Sequence, residues 1–266
     1  MVAAQLAKSP CPQAPEVPLN DVEQRSLDAE HVLRMKVAAC TLMLVHEKCM
    51  NYSGHVSARL PGGVTFLIQP IDVPRSGLRP DDLLVCDLDG QVLRGTPGSK
   101  APAEISLHAE ILRARADVNS VAHFHHDLTN SFTLVEDMPL RIVKNHAIRW
   151  RSGMPVHADP AHVATPELGR AVAHTLGAHH ALQIRAHGQV ITAESVEAAL
   201  TDSIHFVENA QAMHNACVIG RLAPLSEEDM ESFAKYFKRG RHVDKLWRYY
   251  IESGQAAGVI PADWQI

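Results

Sequence analysis

Residues 120–126 read Ser-Val-Ala-His-Phe-His-His, an apolar run that ends in three histidines within four positions. An apolar run of this length, bounded by polar residues, reads as a strand. In a strand, side chains two apart face the same way, so His123 and His125 project together and His126 projects elsewhere. Two imidazoles at i and i+2 on a rigid strand form half of a divalent-metal site. They also occur as surface polar residues without a ligand, and the pair alone leaves both readings open.

The surrounding sequence places this strand in a mixed fold. Apolar residues recur at three-to-four spacing from Asp21 to about Glu47, which predicts a helix. Alternation then takes over: Val56, Ala58 and Leu60 share a face before a Pro-Gly-Gly turn, and TFLIQP returns as the next strand. DDLLVCDLDGQVL predicts a hairpin turning at Asp89-Gly90, and residues 102–116 predict a helix opened by Pro102. LRIV (140–143) and MPVH (154–157) read as short strands, and Thr165-Pro166-Glu167 opens a helix to about Leu176. HALQIRAHGQVITA reads as a strand pair turning near His187-Gly188. A long helix follows over 195–220, and helix resumes from Ser226. Three segments result: a flexible, proline-bearing N-terminal arm (1–20), an α/β domain (21–225) and a helical C-terminal extension (226–266).

Bulk properties exclude several classes. The chain has 266 residues, enough for a sizeable single core, and its net charge of −5 gives no electrostatic basis for binding nucleic acid or an anionic membrane. No run of about 18 apolar residues offers a membrane span. The five cysteines are odd in number and show no CxxC spacing, which suits reduced thiols in a cytoplasmic protein. The N-terminus lacks a basic start followed by an apolar block, so it reads poorly as a signal peptide. Seventeen histidines are the unusual count, and they make ligands plentiful.

The context of the HxH pair carries a resemblance. Glu104 stands nineteen residues before His123, and the run E-x3-H, then R-x-D-V-N-S-V-x-H-x-H, then H-G-x-V-I resembles the class II aldolase and adducin family. SGHVSARL is similar to that family's first hairpin, and TPELGRAVAHTLG to the helix before its third metal histidine. The resemblance spans roughly residues 28 to 220. It implies a three-layer α/β/α sandwich around a mainly antiparallel sheet, and homotetramers with sites at subunit interfaces. It also implies one divalent ion per chain (zinc, manganese, iron or cobalt) on His123, His125 and His187, with Glu104 as acid/base. Three imidazoles leave coordination positions open for a substrate, as a catalytic site requires. Taken without the resemblance, Glu104 reads first as a favourable charge at a helix N-terminus. His108 reads as structural.

The sequence departs from the family's sugar-phosphate aldolases at the phosphate-binding positions. Gly54-His55, Ile71-Asp72 and Pro102-Ala103 stand where those enzymes carry Gly-Asn, Thr-Gly and Ser-Ser. Small donors are replaced by apolar groups, an imidazole and an acid, and Asp72 would repel a phosphate dianion. In this the chain is closest to the family's hydroxyaromatic dicarboxylate decarboxylases. The expected activity is a metal-dependent carbon–carbon lyase, a decarboxylase of a small hydroxylated aromatic or related carboxylate. Retro-aldol cleavage of a non-phosphorylated hydroxy-acid and ferrous oxygenation are the alternatives. An adducin-like, non-catalytic module fits less well, because all three histidines and Glu104 are retained. Arg75, Arg149 and Arg151 are candidate partners for a substrate carboxylate. His55 and His126 are candidate walls of the substrate site.

Overall fold

The computed structural model describes residues 21–266, so the predicted arm over 1–20 lies outside the described residues. A 26-residue helix, α1 (Asp21–His46), leads into two antiparallel hairpins, β1 (His55–Arg59) with β2 (Thr65–Ile68) and β3 (Leu84–Asp87) with β4 (Val92–Arg94). Helix α2 (Ile105–Ala114) precedes β5 (Ser120–Phe124), the strand of the opening motif. A short helix, α3 (Asp127–Ser131), and a 3-10 turn over Asn145–Trp150 then lead to the two-residue β6 (Val156–His157). Helix α4 (Pro166–Leu176), the hairpin β7 (Ala181–Ile184) and β8 (Gly188–Ala193), and helix α5 (Val196–Ile219) follow. The chain closes with α6 (Glu227–Ala234) and α7 (Arg239–Ala256).

The strands form one eight-stranded sheet in the order β4-β3-β2-β1-β5-β8-β7-β6. Every pairing is antiparallel except β6 with β7. Alternation along the strands feeds two cores. Leu67, Ala122, Phe124 and Ile191 join α1, α5 and α7 on one face. Phe66, Ile68, Val121 and Val190 join α2 and α4 on the other. The expected α/β/α sandwich around a mainly antiparallel sheet is thus present. His123 shares the parity of Val121, which turns it toward the α2 face and the residue that opens α2, Glu104.

Three local expectations change. The helix predicted from Pro102 starts only after Glu104, and Pro102 and Ala103 form the turn before it. MPVH contributes only Val156 and His157 to the sheet. LRIV is not a strand, because α5 satisfies its backbone instead. Asn209 Oδ1 accepts from the amides of Val143 (3.0 Å) and Lys144 (3.2 Å), and Asn209 Nδ2 donates to Arg141 O (2.8 Å). With those groups bonded to one side chain, no ladder is needed.

The C-terminal helices belong to the main core. Trp247, Tyr250 and Ile251 of α7 are buried in the same cluster as Val37 and Met43 of α1. Ser226 opens α6 with a capping box closed by Asp229.

Candidate metal centre

Sheet register assembles the site. β5 lies between β1 and β8, with His123 opposite His55 on one side and Val190 on the other. His187 sits at the turn from β7 to β8, next to Gly188. A Cβ on Gly188 would lie 2.6 Å from both His125 Cδ2 and Phe124 O. Only glycine lets β8 come this close to the end of β5, and that approach brings His187 to His125. On the other flank, Gly54 has φ +121°, and a Cβ there would meet His123 O at 2.9 Å.

Ligand-type atoms of Glu104, His123, His125 and His187 all lie within 4.8 Å of one another. Glu104 Oε2 is 3.3 Å from His123 Nε2, and Glu104 Oε1 is 3.4 Å from His187 Nε2. His123 Nε2 is 3.1 Å from His125 Nε2. Glu104 and His123 are buried.

The chemistry of this donor set fits a cation. His123 Nδ1 is 3.0 Å from Gln189 O, and a carbonyl only accepts, so Nδ1 carries the proton. When the ring carries no second proton, Nε2 offers a lone pair toward a carboxylate oxygen, an arrangement that calls for a cation between them. An outer hydrogen bond that fixes the tautomer in this way is the usual arrangement for a metal-binding histidine. His187 points the same way: both its ring nitrogens are buried, and neither has a hydrogen-bond partner among the described residues. A buried acceptor facing acceptors is costly unless a cation sits among them.

Burial alone would push the Glu104 carboxyl up, but hydrogen bonds from the His123 and His187 rings, where a proton on Nε2 stands in the cation's place, and from the Val163 N–H (3.0 Å to Oε1) outweigh it. They hold the carboxyl well below the usual carboxylate range. Glu104 precedes α2 but makes no side-chain cap, so its carboxylate serves the cluster and not the helix end. Burial, followed by the His123 and His187 rings, pushes His125 down to about 4, which keeps its nitrogens available as donors of electron pairs.

His55 is buried and stacks on His123 (centroids 5.9 Å, planes 28°), with its Nδ1 unpartnered. His108 meets the His55 ring edge-on at 5.6 Å and holds Ser57 Oγ at 2.7 Å through Nδ1. Sequence reasoning passed over His162, which stacks on His187 at 5.6 Å and is exposed. The proline-flanked loop that carries it has no periodicity to signal the contact.

Other candidates lie elsewhere or are engaged. Arg75 is buried and spends Nε on Gly54 O (3.0 Å) and Nη1 on the carbonyls of Val73 (2.9 Å) and Ile71 (3.2 Å). It props up the β1 entry loop. Arg149 pairs with Glu194 (2.9 Å) and Asp202 (3.1 Å), and Arg151 pairs with Glu227 and Glu231. The chain's own carboxylates neutralise both, and among the described residues neither forms a hydrogen bond or ion pair with the cluster. His126 caps α3 by accepting from Thr129 N through Nδ1 (3.4 Å).

Comparison with known proteins gives three reference points. The chain is 28% identical over 149 residues to Meiotically up-regulated gene 14 protein of Schizosaccharomyces pombe, covering 55% of this chain and 58% of that protein. It is 25% identical over 242 residues to 3,4-dihydroxyphthalate decarboxylase of Rhodococcus jostii, covering 84% of this chain and 96% of the relative. The solved structure of L-fuculose 1-phosphate aldolase from Glaciozyma antarctica shares the fold, with a TM-score of 0.75 at 18% identity over 91% of this chain and 94% of that one. Residues 35–214 match the family described as Class II Aldolase and Adducin N-terminal domain, and the chain belongs to that family.

Proposed function

We propose that this protein is a metal-dependent carbon–carbon lyase, and specifically a decarboxylase of a small hydroxylated aromatic or related carboxylate. The observation that carries the reading is a complete Glu104–His123–His125–His187 cluster beside positions that have lost their phosphate donors. Ile71 and Asp72 are exposed, and the Ile71 amide is committed to Lys100 O at 2.9 Å. Pro102 and Ala103 carry no side-chain donor, and Asp72 adds negative charge. The decarboxylase relative and the aldolase structure are both distant, so the choice rests on these residues.

In this reading His123, His125 and His187 hold the ion, zinc, manganese, iron or cobalt. When bound, it supplies an electron sink for charge that develops on a chelated oxygen. The bond to the leaving carboxylate breaks, CO2 departs with neither added electrons nor a proton, and the electron pair stays on the ring carbon. Glu104 relays the proton that replaces CO2, directly or through water. His55, beside His123, forms the wall where a phosphate site would otherwise stand. We further propose that the enzyme works in the cytoplasm as a homo-oligomer, a tetramer with sites at subunit interfaces. Exposed apolar side chains such as Val218 and Ile219 support an association surface. Among the described residues, no helix is long and apolar enough to cross a membrane.

A product assay tests the reaction. Incubation with ortho-hydroxylated arene carboxylates should release CO2 and, in D2O, place one deuterium on the vacated carbon. Aldehyde release from fuculose 1-phosphate at a kcat/KM of about 10⁴ M⁻¹s⁻¹ or more, without CO2 from any arene acid, would overturn the reading.

A further inference from the structure

The C-terminal helices frame a groove that shares no lining residue with the histidine–glutamate cluster. Phe233, Tyr236 and Phe237 supply aromatic walls, and Lys238, Arg241 and Lys245 supply cations, around about 490 Å³. That volume lies within the roughly 300–1,000 Å³ of small-ligand sites. No carboxylate lines the groove. The side chains of Lys238, Arg241 and Lys245 form no ion pair or hydrogen bond among the described residues. The chain as a whole is negative, at −5, so this concentration of unpaired positive charge is local. Helix α7 adds to it: the helix starts here with no acid in its first turn and no side-chain cap, leaving positive N–H groups beside positive side chains.

A cation is a poor occupant of this region. His146, His205 and Glu208 adjoin the groove through His146 and form a cluster of ligand type. Glu208 Oε2, however, already accepts from Lys144 Nζ at 2.7 Å. The His146 and His205 rings stack 3.7 Å apart with planes at 17°. Lys238, Arg241 and Lys245 would repel a divalent ion as well.

The same features suit an anion with a flat apolar body. An arginine fork and an ammonium match a carboxylate, and aromatic side chains cover a ring. We propose that this groove is a second ligand site that binds a small aromatic carboxylate, with its ring against Phe233, Tyr236 and Phe237 and its carboxylate on Lys238, Arg241 and Lys245. The site is independent of the reaction proposed above.

Benzoate titration, followed by calorimetry and ligand-observed NMR on the full metal-loaded chain, tests this. The same titration on His123→Ala keeps the two sites apart, because that variant loses the metal cluster as a place for anions. Benzoate should bind the groove of His123→Ala with the same affinity as the groove of the wild type, any binding at the ion of the wild type being additional to it. Adding Lys238→Glu/Arg241→Glu to His123→Ala should weaken this binding at least about tenfold, and the same pair in the wild-type background should leave metal content unchanged. Acetate, which lacks the ring, and benzyl alcohol, which lacks the charge, should each bind at least about tenfold more weakly than benzoate. The proposal is overturned by no benzoate binding to His123→Ala, by binding that survives charge reversal in that background, or by acetate equal to benzoate there.

Discussion

Glu104 carries the largest chemical load of any single residue in this account. It faces two imidazoles and the Val163 amide, and it lies next to the positions where a substrate would meet the ion. Glu104→Gln keeps the size and removes the titrating proton, so kcat and kcat/KM should fall together by roughly 10²–10⁴ while metal content holds. A merely stabilising charge would leave kcat near wild type, and steady-state kinetics beside metal analysis decides between them. His108 makes a different prediction. Burial, then His123, pushes its folded value down to about 3 from 6.5. As pH falls below about 6.5 the unfolded chain takes up a proton that the native ring refuses until about 3. Stability from this group is therefore full above 6.5 and is lost as pH drops toward 3. Urea midpoints at pH 7 and 4.5 should differ less in His108→Gln than in wild type, and an unchanged difference would rule His108 out as a source. At this scale strand parity made the His123–His125 pair legible, while Glu104 and His187 were expected only from the family resemblance; the fold brings the four together. The arginines' roles were not legible: a sequence shows the charge of Arg75, Arg149 and Arg151, but not the carbonyls and carboxylates that already surround them.

At the scale of elements, the site depends on how closely β8 approaches β5. Gly188 permits that approach, and its added Cβ would strike both a metal-candidate ring and the β5 backbone. Gly188→Ala should lower stability by about 1–3 kcal/mol and reduce metal content together, read by thermal unfolding and elemental analysis. Unaltered metal content would mean that the hairpin does not set the ligand geometry. Most strands were legible from alternation, because each buries one parity against α1 and α5 and the other against α2 and α4. LRIV was misleading for a physical reason. Its apolar side chains pack inward as a strand's would, but Asn209 of α5 takes its backbone bonds, and no local pattern announces a partner 66 residues away. The α2 start was misplaced because Pro102 is compatible with a first turn as well as with the loop that delivers Glu104.

For the whole molecule, the two-faced sheet explains why one side is structural and the other chemical. The α1–α5–α7 face holds the larger core, which the C-terminal helices complete. Arg239 at the start of α7 fastens the extension by pairing with buried Asp202 of α5 (2.8 Å) and with Glu194 (2.7 Å). The sequence predicts a helical extension over 226–266, and the packing of Trp247, Tyr250 and Ile251 shows that it belongs to the core. The α2–α4 face carries the cluster, and the central claim is that this cluster is a catalytic metal centre. Elemental analysis of the purified chain tests it most directly. One divalent ion per chain is expected in the wild type, and strongly reduced metal in His123→Ala with the fold retained by circular dichroism. Full metal occupancy in folded His123→Ala would contradict it.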